Sequence, residues 1–343
     1  MKQGQFDTVF SISDRLVGGQ HPCFIIAEAG ISHFGDIQKA LKLVDVAVSA
    51  KADAVKFQIF KSTELISKQS QDWIERLSSR EMSIDDYAKV KEYADSKGIL
   101  FFLTAHDVPS LHETKKLDLP CYKIGSGEVG NPSFFKEVGR IGKPVIFSTG
   151  MYEEPDIFLA LDSLQSVGCR EVGLLHCVTS YPTPVQDINL SKLTLLESMF
   201  EGPVGYSDHA ETWDIAASSV LLGAKIIEKH ITLERDIPNA QDWKVSCMPD
   251  ELIEFVASVR RLEQSLGSAS AGLSDNEKDS IVWARKSIVA ANPINEGQVI
   301  KKNDLTFKRP GTGIVPAKLG TIVGRVAAHH IGVDEIIQPE MYK

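Results

Sequence analysis

From about residue 22 the chain alternates short apolar runs with stretches in which apolar residues recur every three or four positions. The runs are 24–30, 54–60, 99–106, 121–128, 144–150, 172–178, 203–209 and 225–231. After the first run, Ile37, Leu41, Val44 and Val48 share one face of a predicted helix, which Asp36 can cap. A polar section follows the second run, then a helix from Ile84 to about Lys97. A last helix, from about Pro249 to Leu266, closes the series. Runs that are apolar throughout and separated by helices indicate a parallel sheet buried on both faces. Eight of them favour a closed (β/α)₈ TIM barrel over an open doubly wound sheet. Residues 7–21 predict a short hairpin before the barrel, turning at Gly18-Gly19.

Each run starts apolar and ends polar or glycine-rich. The ends carry Glu28, Lys56, Thr104, Lys123 with Ser126, Ser148, His176, Ser207 to His209, and Lys229 with His230. In such barrels the catalytic groups sit at the C-terminal ends of the strands, so these residues are expected at one mouth.

The chain has 343 residues, too many for most single cores. Residues 266–280 are small and polar and read as a linker. It would separate a barrel domain, 1–265, from a block of short β-like pieces, 281–343, that includes Lys308-Arg-Pro-Gly-Thr-Gly-Ile314. A net charge of −9 argues against nucleic acid as a partner, although a basic pocket for an anion can sit in an acidic protein. The five cysteines include no C-x-x-C pair, which fits reduced thiols and gives no support to structural zinc. The opening residues lack an apolar signal core, and no apolar run reaches the roughly 18 residues of a membrane span. The expected location is the cytoplasm.

His209 and His230 end the seventh and eighth runs, which are neighbours in a barrel. The two imidazoles could share a divalent ion such as Mn²⁺, Fe²⁺, Co²⁺ or Zn²⁺, or could be hydrogen-bonded pocket histidines. Lys56 and Lys123 sit inside apolar runs and require compensation. They could clamp phosphate and carboxylate groups, helped by Ser126, Ser148, Thr149, Ser207 and backbone N–H groups around Gly125 and Gly127. One could instead be a Schiff-base lysine, or each could be bridged by Glu28 or Glu128. Glu28, Glu128, Asp208 and Asp242 are candidate acid–base groups or partners for substrate hydroxyls.

Several segments resemble the bacterial N-acetylneuraminate synthases. They are Ile26-Ala-Glu-Ala-Gly-Ile-Ser-His-Phe-Gly-Asp36, Ala54-Val-Lys-Phe-Gln58, Tyr122-Lys-Ile-Gly-Ser-Gly-Glu128, Ser148-Thr-Gly-Met151, Leu174-Leu-His-Cys177, Tyr181-Pro-Thr-Pro184, Gly205-Tyr-Ser-Asp-His209 and Ile227-Glu-Lys-His230. The tail Lys308-Arg-Pro-Gly-Thr-Gly313 resembles the small antifreeze-like (SAF) domain of those enzymes. The resemblance implies condensation of phosphoenolpyruvate with the aldehyde of an N-acetylated amino sugar, yielding a sialic-type acid and phosphate. It implies that Lys56, Thr104, Lys123, Ser126, Ser148 and Ser207 hold phosphoenolpyruvate. His209 and His230 would hold Mn²⁺, with Mg²⁺ or Co²⁺ as alternatives. Glu28, Tyr181 and Asp242 would face the sugar, with Thr179 beside them. It also implies a homodimer with swapped SAF domains, in which Arg309 reaches the partner's barrel and Trp283 is a looser match for an aromatic.

The chain departs from that family at Ser32, where Asn is usual, at Ala105-His106, where Pro-Phe is usual, and at Thr179, again usually Asn. Gln241-Asp-Trp-Lys-Val-Ser246 often reads Pro-Asp-His-x-x-Ser. These departures are expected around the sugar subsite, leaving N-acetylmannosamine and 2,4-diacetamido-6-deoxy sugars as candidate acceptors. Two other enzymes suit the same barrel: a pyruvate aldolase using Lys56, Lys123 or Lys229, and a metal-dependent sugar epimerase. A carbohydrate- or ice-binding protein is suggested by the tail alone.

Overall fold

A computed structural model describes residues 6–238, 240, 242–269 and 272–343. The chain divides into two compact units, Met1–Gly267 and Ser268–Lys343.

The first unit opens with a hairpin of β1 (Val9–Ile12) and β2 (Arg15–Gly18). Ile12 pairs with Arg15, so the chain turns at Ser13-Asp14 rather than at Gly18-Gly19. Ser13 takes the left-handed conformation that this tight turn requires, with φ 54°. Gly18 has a different task. A Cβ there would lie 2.4 Å from the Thr8 carbonyl oxygen and 2.7 Å from Pro203, so only glycine permits the approach.

Eight parallel strands then close into a barrel: β3 (Phe24–Gly30), β4 (Ala54–Ile59), β5 (Leu100–Ala105), β6 (Tyr122–Ile124), β7 (Val145–Ser148), β8 (Val172–Cys177), β9 (Val204–Asp208) and β10 (Ile226–His230). Neighbours in sequence are neighbours in space, and β10 pairs with β3 to complete the ring. The TIM barrel read from the eight apolar runs is thus the one observed. The fourth run is strand only as far as Ile124, because Ser126–Glu128 forms a 3₁₀ turn. The polar section after β4 holds helices Ser62–Leu65 and Gln71–Ser78.

Side chains alternate across each strand, so every second residue points into the barrel. Outward residues such as Ile25, Val55, Phe57, Phe101 and Leu103 pack with the surrounding helices. Inward residues begin with an apolar layer: Ile26, Ala54, Phe102, Cys121, Ile146, Leu175 and Ile226. Phe10, Ile12 and Val17 of the hairpin join this cluster and seal the N-terminal end of the barrel. One step further along each strand the inward residue is Glu28, Lys56, Thr104, Lys123, Ser148, Cys177, Ser207 or Glu228, and all eight are buried.

The second unit starts with helix Asp275–Ala284, whose first turn is capped by the Ser274 hydroxyl accepting from the Glu277 amide. The span 266–280, read as a linker, is therefore helical over its last part, and Leu266 itself ends helix Pro249–Leu266. Small polar residues at 268–274 suggest a linker, but the cap formed by Ser274 and Glu277 starts a helix within it. Strands β11 (Ser287–Ala290) and β12 (Leu305–Lys308) pair antiparallel. Ile288, Ala290, Ile294, Ile300, Ile322, Ala327, Ile331 and Ile337 form this unit's core. Among the described residues no helix is long and apolar enough to cross a membrane.

The hairpin plug predicts a measurable contribution. Phe10→Ala should lower stability by about 3–5 kcal/mol through the cavity it leaves, read by urea unfolding. A loss below about 1 kcal/mol would remove the hairpin as a seal.

Candidate active site

The polar layer forms the floor of a cavity of about 220 Å³ at the C-terminal end of the barrel. Lys56 is 2% exposed and Lys123 4%. Lys56 Nζ meets Glu28 Oε2 at 2.7 Å and Thr104 Oγ1 at 2.9 Å. Lys123 Nζ donates to Ser148 Oγ at 2.7 Å and to the Ile124 carbonyl at 3.0 Å. Glu228 sits between the lysines, 3.7 Å from Lys56 and 3.8 Å from Lys123, and accepts from Ser207 Oγ at 3.0 Å. Gln58 Nε2 donates to the second oxygen of Glu28 at 2.7 Å.

Burial and mutual charge set the protonation of this floor. Burial raises the pKa of Glu28, and the facing Glu228 adds to the rise against the pull of Lys56. Glu228 is also pushed up by burial, but the two lysines outweigh this and hold it below the usual carboxylate range. Lys123 is pushed down by burial, with Lys56 adding to the shift. For Lys56 the two glutamates outweigh burial and raise the pKa. Glu28 is therefore the carboxyl most ready to carry a proton.

The wall above the floor carries His209 and His230, ring centroids 5.3 Å apart. His209 Nδ1 lies 2.7 Å from the Val178 carbonyl, which can only accept. Nδ1 therefore carries a proton, and Nε2 shares a hydrogen bond of 2.8 Å with Tyr181 OH. His230 Nδ1 is buried with no hydrogen-bond partner among the described residues. Burial, then the nearby His209 and Lys56, hold His230 well below the ordinary imidazole range, and so neutral. Among the described residues no three His, Cys, Asp or Glu side chains are grouped to hold a metal ion. Burial lowers the His209 pKa, but Cys177 and the Val178 carbonyl outweigh it and hold the value above the ordinary imidazole range. The neutral His230, with its orphaned nitrogen, and His209 beside it once it gives up its second proton, fit an ion that takes two protein ligands and leaves positions for water and substrate oxygen. Asp242 completes this side of the cavity, its carboxyl pKa raised by burial.

The Ser126 hydroxyl accepts from the Gly150 amide at 3.0 Å. A Cβ at Gly150 would meet the Thr179 hydroxyl at 2.2 Å, so glycine lets Ser126 and Thr179 converge.

The sequence-derived candidates divide clearly. Glu28, Lys56, Thr104, Lys123, Ser126, Ser148, Thr179, Tyr181, Ser207, His209, His230 and Asp242 all line the one cavity. Glu128 does not; it follows the 3₁₀ turn away and accepts from Asn131 Nδ2 at 2.7 Å. Arg309 belongs to the second unit, where its guanidinium lies 5.7 Å over the Trp283 ring. His176, Asp208 and Lys229 were expected at the mouth but occupy outward positions, because each is one residue out of phase with the inward set. Lys229 Nζ donates to Asp208 Oδ2 at 2.6 Å and to the Ala210 and Thr212 carbonyls at 2.7 and 3.3 Å. Glu228, Gln58, Cys177 and His106 line the cavity without having been chosen from the sequence. The signal for them was the two-residue step from His230, Lys56, Thr179 and Thr104. The departures from the family are also dispersed: Ser32 and Trp243 do not line the cavity, while His106 and Thr179 do.

Family models match two parts of the chain, the NeuB family over residues 43–271 and the SAF domain over 285–343. The chain belongs to the NeuB family. An uncharacterized protein of Methanocaldococcus jannaschii is 41% identical over 326 residues, covering 95% of this chain and 96% of its own. The N,N'-diacetyllegionaminic acid synthase of Legionella pneumophila is 36% identical over 335 residues, covering 91% and 94%. The crystal structure of the N-acetylneuraminic acid synthetase of Leptospira borgpetersenii, in complex with citrate, superposes with a TM-score of 0.75 at 35% identity. It covers 80% of this chain and 95% of that one. This NeuB chain thus shares its barrel with proteins named as acid synthases.

The outward network suggests a stability test. Asp208→Asn leaves the Lys229 ammonium buried without its carboxylate and should cost roughly 3 kcal/mol in urea unfolding. An unchanged midpoint would show that the two backbone carbonyls suffice.

Proposed function

We propose that this protein condenses phosphoenolpyruvate with the open-chain aldehyde of an N-acetylated amino sugar, giving a nonulosonic acid and phosphate. The observation that carries the reading is the convergence of Lys56 and Lys123 with the Thr104, Ser148 and Ser207 hydroxyls on one buried floor, beneath His209 and His230. The acceptor class is supported by the relatives' names, N-acetylmannosamine or a 2,4-diacetamido-6-deoxy sugar being the candidates.

Phosphoenolpyruvate is a polyanion that must be held with C3 facing an aldehyde carbon. Lys56 and Lys123 offset its charge, and the hydroxyls fix its orientation. C3 then bonds to the aldehyde carbon, and the aldehyde oxygen takes a proton. Water adds at C2, and the C2–O bond breaks to release phosphate. Glu28, with its raised pKa and its hydrogen bond to Gln58, is placed to hold or pass a proton at a sugar oxygen. The Tyr181 hydroxyl, 2.8 Å from His209 Nε2, is free to turn to substrate when that nitrogen is otherwise engaged. A divalent ion held by His209 and His230, manganese first, would polarise the aldehyde oxygen as a Lewis acid. In a homodimer the partner's Arg309 would close over the mouth and exclude water.

One observation favours a second reading. Burial depresses the Lys123 pKa, as a Schiff-base lysine requires. That aldolase would accept pyruvate and be trapped by borohydride, and no trapping is expected here.

The direct test is a panel of aldoses with phosphoenolpyruvate and Mn²⁺, read by phosphate release. Activity should vanish with EDTA and in His230→Ala; turnover retained in both would eliminate the metal. Arg309→Ala should raise KM for the sugar about tenfold with little change for phosphoenolpyruvate. An unaltered sugar dependence would count against a lid from the partner.

A further inference from the structure

His106 stands just beyond β5, two residues past Thr104, and the alternation that turns Thr104 inward turns this imidazole into the cavity as well. Its backbone is anchored on both sides. The His106 amide donates to the Ile59 carbonyl at 3.1 Å. The next residue, Asp107, caps helix Val108–Thr114 and accepts from the Lys61 amide at 2.8 Å. The ring meets Phe60 edge-on, with centroids 6.5 Å apart. Its Cε1 lies 3.5 Å from where a Cβ on Gly125 would be, so it covers the turn that carries Ser126. Neither ring nitrogen bonds to a described residue.

The location decides what the ring can meet. In the ring of eight strands β5 stands four places from β9, so His106 faces His209 across the cavity and is no third member of the histidine pair. One inward step below it is Thr104, whose hydroxyl accepts from Lys56 Nζ and whose register partner on β6 is Lys123. Burial, with the charges of Lys56 and Lys123 adding, pushes the pKa of His106 down to about 4. At neutral pH it therefore offers one N–H and one lone pair and adds no repulsion to the lysines. An N–H beside two ammonium groups suits an anionic oxygen, which each of the three can approach.

We propose that His106 is a binding residue for the phosphate of the three-carbon substrate, donating an imidazole N–H to a phosphate oxygen on the β5–β6 side of the cavity. The proposal rests on the phosphoenolpyruvate reading and goes beyond it by naming a contact that a phenylalanine in this place could not make.

The test is calorimetric titration of the full chain with phosphoenolpyruvate, without sugar. Wild type should bind. His106→Phe should bind roughly tenfold more weakly, the loss expected for one hydrogen bond to a charged group. His106→Gln, which keeps a donor, should recover most of that loss. In turnover the change should appear in KM for phosphoenolpyruvate more than in kcat, with the sugar's KM unmoved. Equal affinity in His106→Phe, or an effect confined to the sugar's KM, overturns the proposal and leaves the condensation standing. Failure of wild type to bind phosphoenolpyruvate overturns both. If His106→Phe does not fold, the wild-type ¹⁵N resonances of His106 decide the matter, assigned by their loss in His106→Gln. They should shift on adding phosphoenolpyruvate, and no shift overturns the contact.

Discussion

Lys56 and Glu28 meet at 2.7 Å on the floor of the barrel cavity, where both are almost fully removed from water. Taking two charges out of water costs several kcal/mol for each unless the geometry is good and the remaining donors and acceptors are met. Here a second lysine and a second glutamate share the layer, so positive and negative charges balance among Lys56, Lys123, Glu28 and Glu228. Thr104, Ser148, Ser207 and Gln58 satisfy much of what remains. The arrangement needs a dry layer beneath it, which Phe10, Ile12 and Val17 help to provide. An arriving phosphate competes with the carboxylates for both ammonium groups, and a carboxyl with a raised pKa can then accept a proton instead of repelling the anion. The same quartet thus serves stability and anion binding.

The residues between the cavity groups do separate work. On β9 and β10 the inward Ser207 and Glu228 alternate with Asp208 and Lys229, which form a buried ion pair on the outer face. Tyr206 donates to Asp208 at 2.8 Å, and the Ala210 amide donates to it at 3.0 Å. With the carbonyls of Ala210 and Thr212 drawn to Lys229, the segment after His209 is tied down. The orientation of His209 toward Tyr181 therefore depends partly on a pair that never faces the cavity. A run such as Glu228-Lys-His230 carries chemistry for two environments in three consecutive residues.

His106 stands one layer above the floor. The lysines and hydroxyls belong to the middle layer, where a change of size or charge would disturb several partners at once. The layer above touches fewer neighbours. There the imidazole of His106 and the hydroxyl of Thr179 both line the cavity. Ser32 and Trp243 lie outside it, so departures in sequence do not by themselves mark a substrate subsite.

The sequence by itself pointed to the barrel, because eight largely apolar runs separated by helices call for a parallel sheet buried on both faces, and eight strands favour its closure. It also determined which strand ends carry lysines, hydroxyls and histidines, since those residues are rare inside apolar runs. It did not reveal which polar residue of a pair turns inward. Lys229 beside His230 and Asp208 beside His209 looked equivalent until the strand phase separated them. Glu228 went unchosen although it sits two residues from His230, and Glu128 was chosen although the chain leaves the strand at Ile124. The hairpin turns at Ser13-Asp14 and not at Gly18-Gly19, where Gly18 answers to the crowding of Thr8 and Pro203 and Gly19 to Val9. The Glu128 outcome is local, a 3₁₀ turn and a bond to Asn131, whereas the strand phase and the role of Gly18 depend on contacts between segments far apart in the chain. Local pattern states what a strand can present on its two faces; only closure of the ring decides which face becomes the cavity and which charges meet there.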